Sequence, residues 1–257
     1  MTRIHPTAIV DENARLGEDV VVGPYAIIEN DVIIGDQTEI ANHAVIASGA
    51  RIGKKCRIFS GAVISTEPQD LKFGKEKTFV EIGDNTTIRE FVTINRATDY
   101  SYTTNVGSNC LIMAYAHVAH DCKIGDNVII ANAVNMGGHV VIEDNVGIGG
   151  LAAIHQFVHI GCQSFIEGAS KVKKDVPPYI LAMGDPLTFA GLNKVGLKRR
   201  RFKDTTLQDL RRAYKIIYRE NLTLTDAITN LEKSFEQTPE IKHLVEFLRG
   251  SERGIIR

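Results

Sequence analysis

Eight histidines punctuate the chain, and five of them, His117, His120, His139, His155 and His159, crowd into one stretch. An unperturbed imidazole titrates at about pH 6.5, so it suits either proton abstraction from a hydroxyl or the binding of a metal ion. Three of the five are regularly placed: His120 to His139 is 19 residues and His139 to His155 is 16. Asp121 follows His120 directly and can orient its ring. Two chemistries are therefore open. One is general-base catalysis by His120 with Asp121 behind it. The other is a zinc ion held by three imidazoles. His5 and His43, near the start, and His243, near the end, read as structural.

The elements that must carry these residues show in a six-residue repeat. Stepping by six from Ile4 to Val172, 26 of 29 positions are aliphatic, and the exceptions are Asp70, Glu76 and Tyr100. Such a series is internal self-similarity, and it sets the fold before any local reading. A period of six is neither helical nor simple strand alternation. It fits a short strand and a corner, three of which close a triangular coil of about 18 residues. Coils stacked about 4.8 Å apart give a prism roughly 45 Å tall over residues 4–172. The position after the aliphatic is often glycine, as at Gly17, Gly35, Gly53 and Gly125, which the tight corner is expected to require. Small residues precede the aliphatic by two, and Cys56, Cys110 and Cys122 occupy that slot as core fillers. With no CxxC pair, a zinc site or a disulfide framework has only weak support from the cysteines. Against this period, His120, His139 and His155 are one coil plus one and one coil minus two apart, so all three are expected near one edge.

The repeat breaks at about 65–81 and 96–105, which read as loops projecting from the prism, where function collects on rigid scaffolds. After DVPPYI (175–180) the period ends. Helical stripes follow at 205–219, 225–236 and 239–249, the last capped by Thr238 with Pro239 in its first turn. The chain thus divides into a prism over 1–184 and an α-helical domain over 185–257. The run Lys198-Arg199-Arg200-Arg201 reads either as a solvated patch or as a phosphate-binding one, a job guanidinium forks suit. A formal net charge of −1 argues against nucleic acid as a partner. With no apolar run of about 18 residues and no apolar signal core, a cytoplasmic protein without stable membrane insertion is expected.

The hexapeptide period resembles that of the bacterial hexapeptide acyltransferases, whose parallel β-helices are left-handed. The segments HPTAIV (5–10), QDLKF (69–73), AHVAHDCKIG (116–125), GGHV (137–140), IHQF (154–157), DVPPYI (175–180), GLKRR (196–200) and SERGIIR (251–257) go further. They resemble, in order and over essentially the whole chain, the UDP-N-acetylglucosamine 3-O-acyltransferases of lipid A biosynthesis. The resemblance implies transfer of a (R)-3-hydroxyacyl group from acyl carrier protein to the sugar 3-hydroxyl, the first step of that synthesis. It implies no cofactor beyond the 4'-phosphopantetheine of the carrier protein, no metal, and a homotrimer with sites between neighbouring prisms. It also implies roles. His120 is the base, Asp121 orients it, and the Gly138 N–H stabilises the oxyanion. Asp70, Lys72, His117, His139 and Gln156 position sugar and acyl chain. His155, Asn193, Arg199 and Arg200 meet the nucleotide, and Gly168 lies at the far end of the acyl groove. Asn95 and Val195 depart from the family pattern, which carries histidine and glutamate there. A 3-amino sugar acceptor and a three-histidine zinc enzyme of carbonic-anhydrase type, known on the same kind of helix, are the competing readings.

Overall fold

The computed structural model describes residues 1–219 and 222–257. Most six-residue units contribute a two-residue strand, one side chain out and the aliphatic in, as in Ile27–Ile28 and Ile33–Ile34. Among the described residues the strands stack into three sheets of 11, 9 and 8 strands, parallel except for the last strand of the largest, and these are the three sides of a left-handed β-helix. Pairing joins residues one coil apart, Val22 with Ile40, Ile28 with Ile46 and Ile34 with Ile52. Strands this short persist only because the inward column holds them together. Ile28, Ile34, Ile40, Ile58 and Ile64 are each at most 1% exposed. At the open end of the prism the same slot is wet, and Ile4 is 48% exposed. Cys56, Cys110 and Cys122 are buried as expected, and burial pushes the Cys110 thiol up to about 11.

The corners depart from the sequence expectation in one respect. The glycine after the aliphatic does not supply the left-handed backbone. That conformation falls two residues later, on non-glycine residues such as Asp19, Gln37 and Lys55, with φ of 55–60°. Inter-coil bonds hold them there, Gln37 N–H to Glu18 O and Lys55 N–H to Asp36 O, both 2.8 Å. What requires glycine is crowding between coils. A Cβ on Gly35 would lie 2.7 Å from the Gly53 carbonyl carbon.

The two interruptions are insertions after which the inward register resumes, with an irregularity between Ile64 and Thr66 at the first. Ile64 pairs with Ile94 and Ile82 with Val106, so the extra residues bulge outward between paired strands. Both insertions are shorter than the expected 65–81 and 96–105. Phe79–Ile82 and Thr103–Val106 are paired strands, because Val80 and Thr104 re-enter the packed interior at 0% exposure each.

Beyond Val172, an antiparallel hairpin, Ile180–Met183 with Thr188–Leu192, adds to the largest sheet and straddles residues 184 and 185. Among the described residues four helices follow: α1 (Lys194–Arg199), α2 (Asp204–Arg219), α3 (Leu224–Ser234) and α4 (Pro239–Gly250). The last three match their sequence stripes. Leu207, Leu210 and Tyr214 of α2, Leu231 of α3, and Ile241, Leu244 and Leu248 of α4 are buried. The helices bind the prism through polar contacts as well. Tyr214 donates to Pro178 O at 2.5 Å, and the C-terminal segment bridges back through Ile255 to Asp175.

Candidate active site

The one-coil register decides which residues can meet. His120 sits in line with Gly138 and Gln156, each one coil further along. Asp121, His139 and Phe157 form the next row, and all three take the left-handed corner conformation, with φ of 59°, 63° and 63°. The corner turns the Asp121 carboxylate inward beside the preceding imidazole. His120 Nδ1 lies 2.7 Å from Asp121 Oδ2, and the carboxylate is fully buried. Thr98 Oγ1 donates to Oδ2 at 2.8 Å and Ser101 Oγ to Oδ1 at 2.5 Å, with the N–H groups of both residues adding to the cradle. Burial opposes the charge on Asp121. The hydrogen bonds from His120, Ser101 and Thr98 outweigh it and hold the carboxyl below the usual range. With Nδ1–H committed to Asp121, His120 presents Nε2 as an acceptor. The ring lies directly over Gly138, where an added Cβ would fall 2.5 Å from His120 Cε1. Among the described residues, the Gly138 N–H donates to no protein group.

His139 forms the wall of the site. Its ring stands edge-on to His120, with centroids 5.0 Å apart, and stacks face-to-face on Phe157 at 4.4 Å. Tyr100, from the second insertion, packs edge-on against it at 4.5 Å. Burial lowers the pKa of His139, and Asp121 and Asp70 act in the opposite sense. Asp70 stands in the first insertion and fixes its own turn by accepting the Lys72 N–H at 2.9 Å, with the Lys72 side chain exposed. His117 is held by Thr93 Oγ1, 2.7 Å from its Nδ1, and its pKa is lowered by burial and by His120.

The expectation of three converging histidines is corrected. His155 lies exposed, its Nδ1 3.0 Å from Gln156 O, and Phe157 takes the place beside His139. The 16-residue step leaves His155 two positions short of the row, and its ring does not join the His120–Asp121–His139 group. The donor atoms grouped within 4.8 Å belong instead to His120, Asp121 and His139. The Asp121 oxygens accept from Thr98, Ser101 and His120, and within one chain the rings of His120, His139 and His155 do not meet at one point.

The remaining candidates lie on the other two edges of the prism. Gly168 adjoins Ala169, in the corner row of Tyr115, Ala133 and Leu151. Asn193 caps α1 and donates to Gln163 O at 2.8 Å, while Arg200 Nε donates to Asn145 Oδ1 at 3.0 Å, both on the third edge. There, Arg199, Arg200, Asn193 and Val195 line an apolar groove of about 940 Å³. Asn95 is buried and anchors the first insertion, donating to Thr66 Oγ1 at 3.1 Å and Glu67 O at 3.0 Å. Thr98, Ser101, Tyr100 and Phe157 are site residues that sequence reading missed. The row 121–139–157 could have found Phe157. Nothing local marks the other three, which reach the site through the second insertion.

Comparison with known proteins gives this geometry its lineage. The model of the bacterial transferase hexapeptide, six repeats, matches residues 13–48 and 103–138. The model described as UDP-N-acetylglucosamine O-acyltransferase, domain 2, matches residues 175–256. The acyl-[acyl-carrier-protein]–UDP-N-acetylglucosamine O-acyltransferase of Thermodesulfovibrio yellowstonii is 48% identical over 100% of both chains. The one from Syntrophobacter fumaroxidans is 46% identical over 99% of this chain and 100% of its own. Among solved structures, LpxA of Acinetobacter baumannii superposes with a TM-score of 0.96 at 42% identity over 99% of each chain. The UDP-N-acetylglucosamine acyltransferase of Francisella novicida does so at 0.96 and 37%, over 99% of this chain and 94% of its own. Identity at this level along the whole length, helical domain included, leaves one conclusion: the chain belongs to the UDP-N-acetylglucosamine O-acyltransferase family.

Proposed function

We propose that this enzyme transfers a (R)-3-hydroxyacyl group from acyl carrier protein to the 3-hydroxyl of UDP-N-acetylglucosamine, the first step of lipid A biosynthesis, in the cytoplasm and without a metal. The carrying observation is the His120–Asp121 dyad lying over the Gly138 N–H. His120 Nε2 takes the proton of the sugar hydroxyl as its oxygen attacks the thioester carbonyl. Asp121 keeps the ring in the tautomer that makes Nε2 basic and stabilises the imidazolium that forms. The Gly138 N–H meets the oxyanion, where negative charge develops. Collapse of the tetrahedral intermediate breaks the carbon–sulfur bond, and the proton on His120 passes to the departing phosphopantetheine thiolate. No covalent enzyme intermediate is needed, and the buried cysteines are unsuited to form one.

The distribution of residues over three edges supports a homotrimer. A base on one edge and phosphate-binding arginines on another cannot converge within one rigid prism. A neighbouring copy that presents its arginine edge to the His120 edge completes the site. Asp70, Lys72, His117, His139 and Gln156 then position sugar and acyl chain. His155, Asn193, Arg199 and Arg200 meet the nucleotide, and Gly168 borders the end of the acyl groove. The test is product analysis with (R)-3-hydroxyacyl carrier proteins of graded length and the 3-hydroxy and 3-amino sugar nucleotides. An ester of the 3-hydroxy sugar is expected. Amide formed only on the amino sugar would overturn the acceptor assignment.

A further inference from the structure

Cys162 is the cysteine that the repeat leaves outside the core, and it does not stand alone. Glu143 and Cys162 come from adjacent coils, and His243 reaches them from α4, 100 residues after Glu143. His243 Nε2 lies 2.7 Å from Glu143 Oε2, and Cys162 N–H donates to the same oxygen at 2.8 Å. The donor atoms of Glu143, Cys162 and His243 all lie within 4.8 Å of one another. On the far side of the carboxylate, His159 Nε2 stands 2.8 Å from Oε1 but out of line for a hydrogen bond, so a buried imidazole nitrogen is left unsatisfied. None of these four residues takes part in the acyl transfer proposed above. Thiolate, imidazole and carboxylate together are a donor set that zinc-class ions take.

We propose that Glu143, Cys162 and His243 bind one zinc-class divalent cation that fastens α4 to the prism. Cys162 Sγ, His243 Nε2 and one Glu143 oxygen are the ligands, and water fills the fourth position. The Cys162 thiol proton and the proton on His243 Nε2 both pass to solvent as the sulfur–metal and nitrogen–metal bonds form. As the metal takes one carboxylate oxygen, the second turns to accept from the otherwise unsatisfied His159 Nε2–H, the outer partner that metal-bound side chains ordinarily have. Because the ligands come from both the prism and the helical domain, metal binding stabilises their junction by mass action.

The test titrates metal-stripped, tag-free full-length protein with cobalt(II) and with zinc. One equivalent per chain, a sulfur-to-cobalt charge-transfer band and a raised unfolding temperature are expected. Cys162→Ser abolishes the band, and His159→Gln weakens binding by about 10- to 100-fold. His139→Ala, at the catalytic cluster, leaves both unchanged. Zinc also protects Cys162 of the unmodified protein from alkylation, a readout that does not depend on any variant folding. Absence of stoichiometric binding, a band that survives Cys162→Ser, or alkylation unaffected by zinc would each overturn the site.

Discussion

Asp121 has no freedom: two hydroxyls, backbone N–H groups and an imidazole all point at its two oxygens. Asp121→Asn keeps the shape but lets the amide donate to Nδ1, turning His120 into the wrong tautomer. Turnover is expected to fall by about three to four orders of magnitude, the cost of that error in analogous dyads. The same substitution tests stability. The Asp121 carboxyl is held below its ordinary range, so its contribution is present above about pH 4 and is lost as pH falls through the lower folded value. Urea unfolding at neutral pH should show Asp121→Asn less stable by about 1.5–3 kcal/mol, and the gap should narrow in acid. A gap that widened would reverse the sign of the argument. Gly138→Ala tests placement, since its methyl group would meet the His120 ring. A loss of about 100-fold in kcat at unchanged melting temperature is expected from steady-state assays. The dyad itself was readable in the sequence, because neighbours in sequence share a corner. His155 was misplaced because a 16-residue step only approximates one coil. Thr98 and Ser101 were invisible because an insertion brings them back to the site from a distance.

The period-six aliphatics made the strands legible, since each inward side chain must contact the coil above and below. Ile130, fully buried in mid-prism, is a fair gauge of that column. Ile130→Ala should cost about 2–5 kcal/mol by denaturant melts, with activity per folded molecule preserved. A cost below about 1 kcal/mol would mean that the column carries little of the stability. Glycine's part in the corner was misread for a physical reason. Sequence marks where a side chain is absent, but not whether φ or a neighbouring backbone forbids it. The α1 helix escaped notice because six residues containing Gly196 make no apolar stripe. The hairpin at 180–192 escaped because it abandons the period while staying in the sheet.

At the scale of the whole molecule, the proposed reaction draws on residues from three edges of the prism. If neighbouring copies complete each site, two crippled chains can rescue each other. Mixing His120→Ala with Arg200→Ala chains during refolding should yield trimers in which about a quarter of the sites have both an intact base and an intact arginine edge. Carrier-protein assays should recover that share of wild-type activity, whereas no recovery would mean that sites close within one chain. The proposed transfer depends above all on His120 as the base. The most direct measurement is single-turnover transfer of a (R)-3-hydroxyacyl group to UDP-N-acetylglucosamine by His120→Ala beside the unmodified enzyme. A rate lower by about two to four orders of magnitude, with an unchanged melting temperature, is the predicted result. A variant that transfers the acyl group at nearly the original rate would contradict it.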